Sequence, residues 1–302
     1  MHPVIFSFDS FHLFGRAIGP VLIHAYGMML AVAFVAGMAL MVREGVKAGL
    51  KPEDVLDETI LIIIFSIIGA RLLYILLNRN EYAGDALGAL RIYQGGLSFH
   101  GGAIGGVLAL YVFSRRRRAP MWRLADIAVP PLVLGSAIAR WGCFLNGCCY
   151  GRPWDGPWGI VFPVLGDGLK RHPAQLYDSV LHLAMLPILF YLKKYKRKDS
   201  DLSAFYLIGF AILRFITEYF RAGATGRVVA GGITMAQFAS VPIAAVGILL
   251  YFLPARLFST PYSAAEAESK PKNSKKAPAD AVGKQKKSGA TKGKPGKKSS
   301  GR

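Results

Sequence analysis

The sequence predicts an all-α polytopic membrane protein of about seven transmembrane helices, with its N-terminus outside the cell and its C-terminus in the cytoplasm. Composition is the first observation behind this. Of 302 residues, 53% are hydrophobic and 18% charged, and the mean hydropathy is +0.35, too apolar for an ordinary soluble domain. The second is a series of apolar runs near the roughly 20 residues that a helix needs to cross the hydrocarbon core. The third is the distribution of positive charge among the connections between those runs.

The chain opens with "MHPVIFSFDSFHLFG", which lacks the basic start and clean apolar core of a cleavable signal peptide. Residues 1–19 are therefore read as an interfacial segment. Apolar runs follow at approximately 20–42, 57–77, 95–114, 125–147, 175–192, 203–221 and 233–256. The fourth contains Pro130, Pro131 and Arg140, and the fifth is short. Residues 20–258 thus make one seven-helix domain. Beyond it, 259–302 is a tail of Lys, Gly, Ser, Ala and Pro that cannot build a core.

Orientation follows from the loops. The first, third and fifth connections contain "REGVKAGLK", "RRRRAPMWR" and "KKYKRK", with three, five and five basic residues, and the tail beyond the seventh run is Lys-rich. These face the cytoplasm under the positive-inside rule. The alternate connections are poorer in basic residues, and only Arg16 precedes the first helix.

This topology gives depth to the polar residues within helices. At about 1.5 Å of rise per residue, His100 lies roughly 8 Å below the outer end of the third helix. Tyr26 occupies a similar level in the first, and Arg71, Arg140 and Arg214 lie about 10 Å below the outer ends of the second, fourth and sixth. An arginine at mid-bilayer costs roughly 2.5–3.5 kcal/mol on insertion scales, so several at one level imply a shared polar cavity. The carboxylate assigned to that level is Glu218, one helical turn from Arg214, with Arg221 a further turn on. One acid cannot neutralise these arginines, and the cavity therefore suits an anion.

At headgroup depth the simplest anion is a phospholipid phosphate, which guanidinium groups grip with permanently charged, forked donors. His100, within "GGLSFHGGAIGG", is the side chain able to exchange a proton near neutrality. The surrounding glycines permit close approach of a helix or a ligand. Their spacing does not match the G-x-G-x-x-G nucleotide fingerprint.

Four blocks in order, "YQGGLSFHGGAIGG" (93–106), "ARWGCFLNGCCYGRP" (139–153), "RHPAQLYD" (171–178) and "RFITEYFR" (214–221), resemble the bacterial phosphatidylglycerol–prolipoprotein diacylglyceryl transferases. The likeness runs from about Tyr26 to Phe252. The family signature G-R-x-G-N-F-x-N-x-E-x-x-G falls on 139–151, where Arg140, Gly142, Phe144, Asn146 and Gly151 match. Ala139 replaces its Gly, Cys143 its first Asn and Cys148 its Glu.

The resemblance implies transfer of the diacylglyceryl group of phosphatidylglycerol to the lipobox cysteine thiol of a preprolipoprotein, with formation of a thioether and release of glycerol phosphate. It places the protein in the bacterial cytoplasmic (inner) membrane, with the active site toward the outer leaflet and residues 20–258 as the catalytic domain. His100 is assigned as general base, and Arg140 and Arg214 as catalytic phosphate clamps. Tyr26 and Asn146 orient glycerol and phosphate oxygens, Glu218 holds Arg214, and Gly151 and Arg221 complete the substrate-binding set. Phosphatidylglycerol, lipobox signal peptides and membrane lipids are the expected partners. No cofactor and no metal is expected.

Cys143, Cys148 and Cys149 are read as packing residues. Their C-x4-C-C spacing lacks the C-x2-C element of structural zinc sites, and the adjacent pair is poorly placed to bridge itself. A disulfide on the outer side is the alternative. The tail suits attraction to the anionic inner leaflet better than nucleic acid. A lipid or anion transporter would use the same positive cavity without a base, but the chain contains no internal repeat of the kind such folds show.

Overall fold

The computed structural model describes residues 4–8, 11–13, 16–18, 21–82, 88, 96–222, 228–230 and 233–255. Between the segment expected at the membrane interface and the start of the first apolar run, the described residues form two antiparallel ribbons. Strand β1 (Val4–Phe8) pairs with β4 (Val21–His24), and β2 (Phe11–Leu13) with β3 (Arg16–Ile18). Residues 21–24, expected to open the first helix, are drawn instead into β4.

Seven long helices follow among the described residues: α1 (Ala25–Lys47), α2 (Pro52–Leu77), α3 (Phe99–Arg117), α4 (Met121–Leu145), α5 (Ala174–Leu192), α6 (Asp201–Phe220) and α7 (Met235–Phe252). Small ribbons lie between them: β5 (Ile160–Val161) with β6 (Lys170–Arg171), and β7 (Val228–Ala230) with β8 (Ile233–Thr234). The chain is a multi-pass membrane protein. Among the described residues, six of these seven helices are long and apolar enough to cross a bilayer. The exception is α3, whose first eight residues include Gly101, Gly102, Gly105 and Gly106 and whose end is Arg115–Arg117.

The turns follow from local chemistry. After α1, Gly49 takes a left-handed φ of 86°, Leu50 N–H donates to the Gly45 carbonyl, and Pro52 starts α2 at a position where a missing N–H costs nothing. Helix α7 opens with a capping box between Thr234 and Gln237. At its other end, Lys198 Nζ donates to the Leu250 and Tyr251 carbonyls at 2.7 and 3.1 Å. Asp126 of α4 accepts from the Ser200 and Ser203 N–H groups at 3.0 and 2.8 Å, closing the start of α6.

Helix pairing depends on small residues. A Cβ on Gly101 would meet Leu73 Cβ at 2.7 Å, and one on Gly105 would meet the Phe65 carbonyl carbon at 2.7 Å, so the glycine-rich face of α3 lies against the α2 backbone. Gly142 similarly brings α4 against Tyr26 and Met29 of α1. The interior is filled by Val129, Val133, Met185, Leu189 and Leu202 from α4, α5 and α6. Outward, Ile60, Ile64, Ile68, Leu72 and Leu76 form an exposed i, i+4 stripe along α2. An apolar exterior of this kind matches a lipid solvent.

Candidate active site

The C-terminal ends of α4 and α6 and the N-terminal ends of α1 and α5 gather the polar residues. Arg140, five residues before the end of α4, places Nε 2.5 Å from Oδ2 of Asp178 on α5. Oδ1 of the same carboxylate lies 3.3 Å from Nδ1 of His182. That nitrogen also contacts the Asp178 carbonyl at 2.8 Å; since a carbonyl only accepts, Nδ1 carries the hydrogen. Asp178 and His182 are both buried.

On α6, Arg214 Nη2 stands 2.9 Å from Glu218 Oε2, the one-turn pairing expected from their spacing. Arg221 Nε reaches the same oxygen at 4.0 Å. Arg214 is also within electrostatic reach of Arg140, Asp178 and Arg221. Three guanidinium groups and two carboxylates therefore form one network. Arg214 Nη1 is buried and has no hydrogen-bond partner, whereas its sister nitrogen faces Glu218.

Two expectations are corrected here. Glu218 is not the sole carboxylate at this level, because Asp178 stands beside Arg140. Arg71, expected to share one cavity with the other arginines, is bound to backbone carbonyls of the chain that follows α2. Its Nη1 donates to the Gly96 carbonyl at 3.0 Å and its Nη2 to the Gly88 carbonyl at 2.8 Å, while its guanidinium lies over the Tyr74 and Tyr82 rings. Arg71 is thus tied to the chain between α2 and α3.

His100 is the second residue of α3 and is exposed, with Phe99 edge-on at 5.8 Å. Tyr26 is the second residue of α1, packed against Gly142 and close to Arg140 and the three cysteines. Asn146 caps α4, and its N–H donates to the Gly142 carbonyl at 3.0 Å.

Gly151 serves the architecture as well as matching the signature. Its N–H donates to the His172 carbonyl at 2.9 Å, and it bridges to Arg221 in the backbone. A Cβ there would meet the His172 and Phe220 carbonyl oxygens at 2.6 Å. Only glycine lets the segment after α4 pass between the segment before α5 and the end of α6, the arrangement that sets Arg221 beside the network. Above it, Trp154 stacks on His172 at 4.3 Å, and His172 Nδ1 lies 3.1 Å from the Tyr177 hydroxyl. Burial lowers the His172 pKa below its ordinary value.

Asp178, His182 and Gln175, all on α5, join the site although the sequence alone does not single them out. The signal was present in "RHPAQLYDSVLH", where Gln175, Asp178 and His182 fall at helical spacing on one face of an otherwise apolar run. Gln175 is buried and donates from Nε2 to the Cys148 carbonyl at 2.5 Å. The sulfurs of Cys143, Cys148 and Cys149 all lie within 4.8 Å of one another.

Comparison with known proteins shows the family of the chain. The family model described as prolipoprotein diacylglyceryl transferase matches residues 15–253. A phosphatidylglycerol–prolipoprotein diacylglyceryl transferase of Bordetella bronchiseptica is 34% identical over 245 residues, covering 79% of this chain and 94% of the relative. Proteins of the same name from Synechococcus elongatus and Geobacillus kaustophilus are 34% and 33% identical, over 77% and 78% of this chain and 83% and 90% of their own. With the family model spanning all seven helices and relatives matched over most of their length, the chain belongs to the prolipoprotein diacylglyceryl transferase family.

Proposed function

We propose that this protein transfers the diacylglyceryl group of phosphatidylglycerol to the lipobox cysteine of preprolipoproteins in the bacterial inner membrane. The substrate sulfur forms a bond to the glyceryl carbon that carries the phosphate ester, that carbon–oxygen bond breaks, and glycerol phosphate leaves with the electron pair. The thiol proton goes to His100. An ordinary thiol has a pKa of about 8.5 and is mostly protonated at neutral pH, so a base at the entry raises the fraction of reactive thiolate. The exposure of His100 supports this role, because a side chain that meets a substrate arriving from outside the bundle must be reachable.

The observation that carries the reading is the unpartnered, buried Arg214 Nη1 within the arginine network. A buried charged donor without a partner is costly, and a phosphate oxygen satisfies it. Arg140, oriented by Asp178, and Arg214, oriented by Glu218, grip the phosphate and stabilise charge developing on the leaving group. Tyr26 and Asn146 orient glycerol and phosphate oxygens, and Arg221 with Gly151 closes the site from the α6 side. The loop charges orient the N-terminus outward and the active site toward the outer leaflet.

The test uses purified full-length protein, phosphatidylglycerol in detergent micelles and a peptide containing the lipobox cysteine. The expected product is a peptide whose mass increases by one diacylglyceryl group on that cysteine, with a Cys→Ser peptide left unmodified. A folded protein that binds phosphatidylglycerol and leaves the cysteine peptide unchanged would overturn the reading.

A further inference from the structure

We infer that Cys143, Cys148 and Cys149 form a three-sulfur binding site for one thiophilic divalent ion of the zinc class. Among the described residues they are the one group of three or more His, Cys, Asp or Glu side chains whose donor atoms converge in this way. Zinc–sulfur bonds of about 2.3 Å set the sulfurs of a tetrahedral or trigonal set about 3.8–4.0 Å apart. Sulfurs within 4.8 Å of one another close onto such an ion through small side-chain movements.

The backbone builds this convergence where the linear spacing gives no hint of it. At the end of α4, Gly147 N–H donates to the Phe144 carbonyl and Cys148 N–H to the Cys143 carbonyl, both at 3.1 Å, with Gly147 left-handed at φ 73°. This is a Schellman turn, which folds the residue after the glycine back over the last helical turn and brings Cys148 to Cys143. Cys149 then adopts φ 63°, a left-handed conformation that is strained for a residue with a Cβ. The reversal turns the third sulfur toward the other two.

The surroundings suit bound thiolates. Arg140 and Arg221 lie within electrostatic reach of Cys149, and three thiolates around a divalent ion carry one net negative charge for those cations to balance. Gln175, itself buried, anchors the Cys148 carbonyl from α5 and holds the loop from outside the sulfur set. Soft sulfur donors select zinc-like ions over magnesium or calcium. A disulfide would use two of the sulfurs, and packing alone requires none of them to converge.

The test is metal retention by reduced, tag-free, full-length protein in detergent, loaded with Zn2+ alone and dialysed. One zinc per chain is expected, together with protection of all three thiols from maleimide. Each of Cys143→Ser, Cys148→Ser and Cys149→Ser should lower retention well below one zinc per chain. Because a serine variant can fail to fold, Co2+ loading of the unaltered protein gives a second readout through thiolate-to-cobalt charge-transfer absorption. Three freely reactive thiols with no zinc retained would overturn the inference, as would a disulfide that forms in place of zinc binding. So would a single-serine variant that retains zinc as tightly as the unaltered chain. Zinc retention is measured without transferase substrates, so its failure leaves the proposed function standing.

Discussion

Arg140 Nε and Asp178 Oδ2, carried on different helices, stand 2.5 Å apart in a largely buried ion pair that joins α4 to α5. Breaking a buried pair by removing one partner costs about 3–5 kcal/mol, because the other charge is left without compensation. Asp178→Ala should therefore lower the unfolding temperature in detergent and abolish most peptide lipidation. Arg140→Met with Asp178→Leu should recover stability without recovering activity. A double variant that lipidates the peptide normally would remove Arg140 from the phosphate site.

The forked geometry of guanidinium separates charge from shape at both clamps. Arg140→Lys and Arg214→Lys keep the positive charge but lose one directed hydrogen bond to phosphate, worth about 1.5–3 kcal/mol. Each should lower kcat/KM by about 10- to 100-fold in the micelle assay. Glu218→Gln should have a smaller effect than Arg214→Lys. Full activity of both lysine variants would show that charge alone suffices.

His100 is expected to affect chemistry and not insertion. General-base catalysis contributes typically about 100- to 10,000-fold, so His100→Gln should lose turnover on that scale while its expression and chromatographic behaviour stay those of the unaltered protein. Near-normal turnover by the folded variant would exclude His100 as the base.

The two kinds of glycine in α3 should differ sharply. A Cβ at Gly102 has its nearest neighbour at 3.6 Å, an ordinary contact, whereas at Gly105 it meets the Phe65 carbonyl carbon at 2.7 Å. Gly102→Ala should be tolerated, and Gly105→Ala should destabilise by about 1–3 kcal/mol through overpacking. Thermal unfolding of the two proteins makes the comparison.

Truncation after Phe258 removes the Lys-rich tail, which lies outside the described residues. Under the orientation that the loop charges predict, the tail is cytoplasmic and the proposed active site faces the outer leaflet, so the tail should be dispensable for chemistry. At equal amounts of inserted protein, turnover should match that of the full chain. A loss would mean that the tail reaches the catalytic helices or that the orientation is inverted, and labelling of an engineered tail cysteine in intact cells separates the two.

The sequence by itself determined the membrane class, the approximate helices and the family. These properties are carried by runs of apolar residues, loop charges and short ordered motifs, all local along the chain. Arg214 and Glu218 were legible for the same reason, since residues one turn apart share a helix face. Helix depth alone could not show which arginines meet. Arg71, Arg140 and Arg214 have similar depths, yet Arg71 is held by the Gly88 and Gly96 carbonyls while Arg140 faces Asp178. Likewise, the C-x4-C-C spacing conceals a convergence produced by a helix-ending turn and the left-handed backbone of Cys149. Only the tertiary structure decided these pairings, because rotation about each helix axis and the path of each connection are set by packing between distant segments, not by the spacing of residues within one.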